Sequence, residues 1–194
     1  MRMKKITFLI VLFVSLSAFA QKNNNEEKQL TKYEEISSQT GSIIKFQDVK
    51  LPTIKMSFLG GQLETSIRLV MKEDCEYFFY RISKPETSSS IARIAMIEYA
   101  DLVEINKALA ILASSVDADL EAKPDYLENK FRTNDGFEVG YYITENGQTG
   151  KKEAKWFIKL ERYSGSTVFP RSTKDVLDSF SEAQAKMEEL MSQR

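Results

Sequence analysis

Five acidic side chains crowd into one short stretch: Asp117, Asp119, Glu121, Asp125 and Glu128. Counted from Asp117 they fall at positions one, three, five, nine and twelve of a calcium-loop template, and an oxygen-rich set of that spacing suits a hard divalent cation. Two residues break the match. Ala122 stands where the loop needs glycine for its sharp turn, and Pro124 interrupts the ligand run. The cluster reads more simply as a solvated helix end and loop, with Asp117, Asp119, Glu121 and Glu128 as the nearest approach to a metal site. Ser42-Ile43-Ile44-Lys45 has the Ser-x-x-Lys spacing of penicillin-recognising enzymes, whose chemistry needs the serine at a helix start and the lysine one turn on. Here the segment reads as a strand, which sends the two side chains to opposite faces, and the companion Ser-Asp-Asn and Lys-Thr-Gly elements are missing. Glu98, Asp101 and Glu104 could supply a carboxylate pair, which must converge to roughly 5 Å for retaining glycoside hydrolysis. Acids also favour a helix N-terminus because of its dipole, and that explains their spacing more simply.

The chain has no histidine. That excludes Ser-His-Asp and Cys-His catalysis, His-ligated zinc and a His-based pH switch. The one cysteine, Cys75, sits between Asp74 and Glu76, whose charges disfavour the thiolate, and it reads as a buried strand residue. No phosphate-cradling glycine loop, dinucleotide fingerprint or metal-binding Cys/His spacing occurs, so no cofactor is implied. Aromatic residues are the remaining candidates: Tyr77, Phe78, Phe79, Tyr80, Tyr141, Tyr142, Trp156 and Tyr163. Exposed on a sheet they could stack on sugars or peptides, although core packing accounts for most of them. Tyr142 alternates out of phase with Tyr141, so one of the two lies on the less buried face. A ligand surface, if present, is expected near Tyr142 and Arg132.

The elements that position these residues follow from periodicity. Strands dominate from Ser42. One is expected around Ile43–Phe46, ended by Pro52, and a second over Thr53–Leu59 before the Gly60-Gly61 turn. Leu63, Ile67, Leu69 and Met71 share a face of the returning strand. Cys75–Ile82 is apolar on both faces, as in a strand covered on both sides. A further strand spans Ile91–Ile97. Leu102, Ile105, Leu109, Leu112, Val116 and Leu120 then recur at helical spacing, with Asp101 and Glu104 in a capping-box pattern. A meander over Tyr126–Thr133, Phe137–Ile143 and Ala154–Glu161 precedes a short strand at Thr167–Phe169. Ser172 caps a last helix whose stripe is Val176, Phe180, Ala183, Met187 and Leu190.

The expected fold class is therefore α+β: a mainly antiparallel, curved sheet with amphipathic helices over about 101–120 and 173–192. A β-sandwich or barrel with peripheral helices is the alternative. The order strands, helix, strands, helix raises the idea of a duplicated unit, with no residue-level repeat behind it.

The first twenty residues read as an address rather than a fold. Met1-Arg2-Met3-Lys4-Lys5 is basic, Ile6 to about Leu16 is apolar, and Ala18-Phe19-Ala20 offers a small-residue cleavage site before Gln21. The apolar run is too short for a bilayer, which needs roughly 20 such residues. Residues 1–20 are read as a secretory signal peptide, 21–40 as a flexible polar segment, helical near Leu30–Ile36, and 41–194 as one domain. Gln21 rather than cysteine at the cut argues against a lipoprotein. The signal removes three of the 27 basic residues and none of the 28 acidic ones, leaving a net charge of −4. That disfavours a nucleic-acid partner. The signal ending in Phe-Ala-Gln resembles those of exported Bacteroidetes-type proteins, and the strand–helix–strand–helix chain looks like uncharacterised secreted proteins of that group. The resemblance implies export and carries no functional residues. The expected role is a non-enzymatic binding or scaffolding module of the cell envelope, periplasmic or secreted, with an envelope or extracellular protein or glycan as partner and no stable membrane insertion. The alternative is a small carboxylate-dependent hydrolase acting on carbohydrate.

Overall fold

A computed structural model describes residues 30–57, 61–88, 91–162 and 167–194. Residues 1–29, on which the expected signal peptide falls, lie outside them, as do Gly60 and Tyr163. The chain forms α1 (Lys32–Ser37), β1 (Ile44–Lys55), β2 (Gln62–Lys72), β3 (Cys75–Lys84), β4 (Arg93–Glu98), α2 (Tyr99–Glu121), β5 (Leu127–Arg132), β6 (Glu138–Glu145), β7 (Lys152–Lys159), β8 (Thr167–Val168) and α3 (Thr173–Ser192). The fold is α+β, with two antiparallel four-stranded sheets, neither closed into a barrel, in the orders β1-β2-β3-β4 and β5-β6-β7-β8. The strands therefore divide between two sheets rather than joining in one. Each is a meander followed by a long helix, so the element order repeats although the residues do not.

Period-two alternation decides which strand residues meet the core. In the first sheet Ile67, Tyr80 and Ile97 stand side by side, as do Thr65, Ile82 and Ala95. All of these but Thr65 share one apolar core with Val139, Tyr141, Ile143 and Ile158 of the second sheet and with both long helices. α2 turns Leu102, Ile105, Leu109 and Leu112 inward. α3 contributes Val176, Phe180, Ala183 and Met187, and Ser172 Oγ caps it by accepting the Asp175 amide at 3.1 Å. Phe180 is the keystone. Its ring meets Tyr80 of the first sheet edge-on at 5.3 Å and Phe137, beside the second, at 5.8 Å.

Several local expectations change. Pro52 does not end a strand: β1 runs through it, with an irregularity between Leu51 and Ile54. An edge strand tolerates the missing amide, and the Pro52 carbonyl accepts the Thr65 hydroxyl at 2.7 Å. Cys75 is exposed, because it follows the tight β2–β3 turn in which Glu73 takes a φ of 54°. The cap of α2 is Glu98, without a side-chain cap bond, and the Asp101 carboxylate instead accepts from Lys32 at 3.5 Å. The polar segment before β1 is built into the fold over α1. Thr31 and Glu34 form a reciprocal capping box, Lys32 pairs with Glu98, and the Tyr33 ring stands edge-on to Phe79 at 5.5 Å.

The end of β1 is also fastened to the far end of the second sheet. The Ser57 amide donates to the Phe169 carbonyl at 2.8 Å, the Arg171 amide donates to the Lys55 carbonyl at 2.8 Å, and Ser57 Oγ donates to the Pro170 carbonyl at 2.6 Å.

Candidate functional site

The second sheet carries both residues singled out for a ligand surface. Its inner face takes Leu127 and Phe131 of β5 and Tyr141 of β6. The register leaves Glu128, Lys130 and Arg132 of β5 on the outer face, opposite Tyr142, Gly140 and Glu138 of β6. Lys155, Phe157 and Lys159 of β7 continue the same rows. Tyr142 and Arg132 thus lie on one face.

Gly140 sets the depth of this surface. A Cβ there would fall 2.2 Å from the Asn129 carbonyl oxygen and 2.6 Å from the Lys130 Cα. Glycine lets β5 and β6 approach that closely, and it leaves the middle of the face without a side chain. On the same face opens a shallow cavity of about 490 Å³, bounded by Tyr126, Glu128, Glu138, Tyr142, Phe157, Lys159 and Thr167. Tyr126 is 68% exposed. Tyr142 is half-buried, 6.4 Å from the Phe157 ring and 6.3 Å from the nearly perpendicular Phe169 ring. Lys155 Nζ sits 5.2 Å over the centre of Phe169.

The charges are organised around Glu138. Its position at the strand's polar phase suggests a solvent-facing carboxylate, yet it is only 4% exposed. Lys130 Nζ approaches it at 3.1 Å, Lys159 Nζ at 3.5 Å and Arg132 Nε at 3.6 Å. Burying a carboxylate requires such compensation. Lys130 also reaches Glu128 at 2.7 Å. The Glu128 carboxyl accepts the Tyr126 hydroxyl, and the Lys130 ammonium and that hydroxyl hold it below the usual carboxylate range. Lys130 is raised in turn by its bonds to Glu128 and Glu138. Four cations, Lys130, Arg132, Lys155 and Lys159, share this face with three carboxylates, Glu128, Glu138 and Glu153, so it carries a small cationic surplus on a chain that is acidic overall.

The acidic cluster does not converge. Asp117, Asp119 and Glu121 lie on α2, and Tyr141 on the inner face donates its hydroxyl to Asp119 Oδ2 at 2.5 Å. Glu128 lies on the outer face, with the sheet between it and Asp119. Burial and the Asp119 carboxylate push the Tyr141 hydroxyl up to about 12. Asp119 is thus a structural acceptor, and among the described residues no three His, Cys, Asp or Glu side chains are grouped to hold a metal. The Ser42 hydroxyl donates to the Gln39 carbonyl at 3.0 Å, just before β1, with no helix start to activate it. Glu98 and Asp101 converge on Lys32 rather than on a pocket. Glu104 pairs with Lys107 on the surface.

Sequence reasoning missed Lys130, Glu138, Phe157 and Lys159 as members of this surface. Strand alternation was the available signal, because all four share the phase of Arg132 or Tyr142 once the strands are in register. No family model, curated protein or solved structure matches the chain. No helix among the described residues is long and apolar enough to cross a membrane.

Proposed function

We propose that this chain is an exported, non-catalytic binding domain that takes an acidic glycan on the outer face of its second sheet. The observation that carries the reading is the pairing of the Tyr126–Tyr142 ledge with the ammonium groups of Lys130, Lys155 and Lys159 around the side-chain-free floor at Gly140. Aromatic faces stack on the apolar side of sugar rings, and the surplus of cations favours carboxylated or sulfated sugars. The leader, with its basic head, apolar core and Ala-Phe-Ala site, and its resemblance to exported Bacteroidetes-type proteins support delivery to the periplasm or beyond as a chain beginning at Gln21. Gln21 at the cut supports an unlipidated product, and the acidic balance argues against nucleic acid.

Calorimetric titration with uronic-acid oligosaccharides and their neutral counterparts tests the ligand. Binding of the acidic series that weakens at least tenfold in Tyr142→Ala and in Lys159→Met is expected. Equal binding of neutral and acidic sugars would remove the charge argument. Envelope fractionation with mass measurement of the processed chain tests export, and an uncleaved cytoplasmic protein contradicts it.

One observation favours the hydrolase reading. Glu128 and Glu138 share the Lys130 ammonium, so their nearest oxygens lie within about 6 Å of each other, close enough to reach the roughly 5 Å separation of a retaining glycosidase pair. The same ammonium argues against catalysis. A glycosidase acid must be protonated at work, whereas Glu128 is held ionised. Release of reducing sugar by the wild type, abolished in Glu128→Gln, would establish the hydrolase instead.

A further inference from the structure

A second cleft lies beside the other sheet. Between β4, the edge of the first sheet, and the Phe137 and Leu160–Arg162 segments of the second runs a cleft of about 460 Å³, roofed by α1 through Thr31 and Tyr33. Its floor reaches the core at Phe137 and Leu160, and Ile94 and Met96 supply its wall. That volume falls within the roughly 300–1,000 Å³ of small-ligand sites, which favour seams of this kind.

Two features say what would occupy it. The first is main-chain polarity. In an antiparallel strand the N–H and C=O of alternate residues point to opposite edges. The Ile94 amide points away from β3, since it donates to Glu161 Oε1 at 3.2 Å. Met96, two residues on, therefore turns its N–H and C=O the same way, along the cleft, and among the described residues no backbone partner meets them there. The second is charge. The ionic groups of the cleft are already matched within the protein. Arg68 is held by Asp48 in a two-bond fork at 2.7 Å each, Asp135 accepts the Lys32 amide at 3.1 Å, and Glu161 takes Arg93 at 2.9 Å.

We infer that the β4 edge binds a short, uncharged, apolar peptide segment in extended conformation, paired through its main chain to Met96 with one side chain in the cleft. Strand addition to an open edge recognises main-chain amides, and the pocket beneath selects the side chain. The open stretch is short. The Glu161 carboxylate occupies the Ile94 amide at one end, and Lys32 bound to Glu98 closes the other. Two or three residues fill it, and the inference is independent of the glycan surface.

Fluorescence anisotropy with labelled, end-capped Val-Phe-Val on the full chain tests this. Three comparisons accompany it: the same peptide N-methylated at its central residue, capped Glu-Glu-Glu, and the protein variant Ile94→Glu, whose native side chain is 39% exposed. Saturable binding of Val-Phe-Val, at least tenfold weaker for each comparison, is expected, with an amide chemical-shift change at Met96. An edge strand also tolerates proline where the amide faces outward, so Met96→Pro should fold and lose binding. No binding up to millimolar peptide, or equal binding of the N-methylated peptide, overturns the inference. So does equal affinity in Ile94→Glu.

Discussion

Replacing Glu138 by glutamine keeps the shape of the side chain and removes its charge from the centre of the outer face. Three cations lose their shared partner, at 3.1, 3.5 and 3.6 Å. Severing a fully buried ion pair costs about 3–5 kcal/mol, because the orphaned charge stays out of water. Here the orphans are not so confined: the side chains of Lys130, Arg132 and Lys159 are 39%, 52% and 25% exposed, and Lys130 keeps Glu128. Partly exposed pairs are worth about 0.2–1 kcal/mol each. The three together give a loss of about 0.6–3 kcal/mol, or a Tm lower by about 1–12 °C for a chain of this size. Urea denaturation at neutral pH and low salt measures it, and the difference should shrink in 0.5 M salt as screening removes the pair energy from the wild type. A Glu138→Gln protein as stable as the wild type at low salt would refute the reasoning. It would mean that stripping water from the carboxylate offsets everything the cations return.

Three further outcomes are expected. Gly140→Ala should destabilise by about 1–3 kcal/mol by forcing β5 and β6 apart, and should reduce glycan binding, read by thermal unfolding beside titration. Phe180→Ala should lose about 3–5 kcal/mol in chemical denaturation, since one ring fills the joint between both sheets. The Arg68 fork lowers the Asp48 carboxyl in the folded state, so its contribution is complete above the unfolded value of 3.8 and disappears as pH falls through the lower folded one. Asp48→Asn should therefore be less stable by up to about 1 kcal/mol at pH 7. The gap to wild type should narrow as pH falls below 3.8 in pH-resolved urea midpoints.

What could be read from the chain was whatever depends on neighbours in sequence. α3 begins after Ser172 and ends at Ser192 as its apolar spacing requires, because cap and stripe are local. The strands of both meanders follow from alternation and from turns such as Asn134-Asp135-Gly136, where Gly136 takes a φ of 89°. Long-range partners were illegible. Asp101 has the right spacing for a cap, but Lys32 arrives from far upstream and draws its carboxylate away. The division into two sheets depends on which edges stay unpaired, and a periodic pattern does not record that. Tyr142 and Arg132 could be placed on one face by phase alone. The burial of Glu138 could not, because it is produced by cations on two neighbouring strands.

The fastening of Lys55 and Ser57 to Phe169 and Arg171 joins segments more than a hundred residues apart. A pull on the chain there loads several bonds side by side, in shear, instead of peeling them singly. Phe169 belongs both to this clasp and to the aromatic ledge beside Tyr142. Tension carried along β1 thus has a direct route to the proposed glycan surface, and a sugar seated against Phe169 would brace the joint that locks the two sheets together.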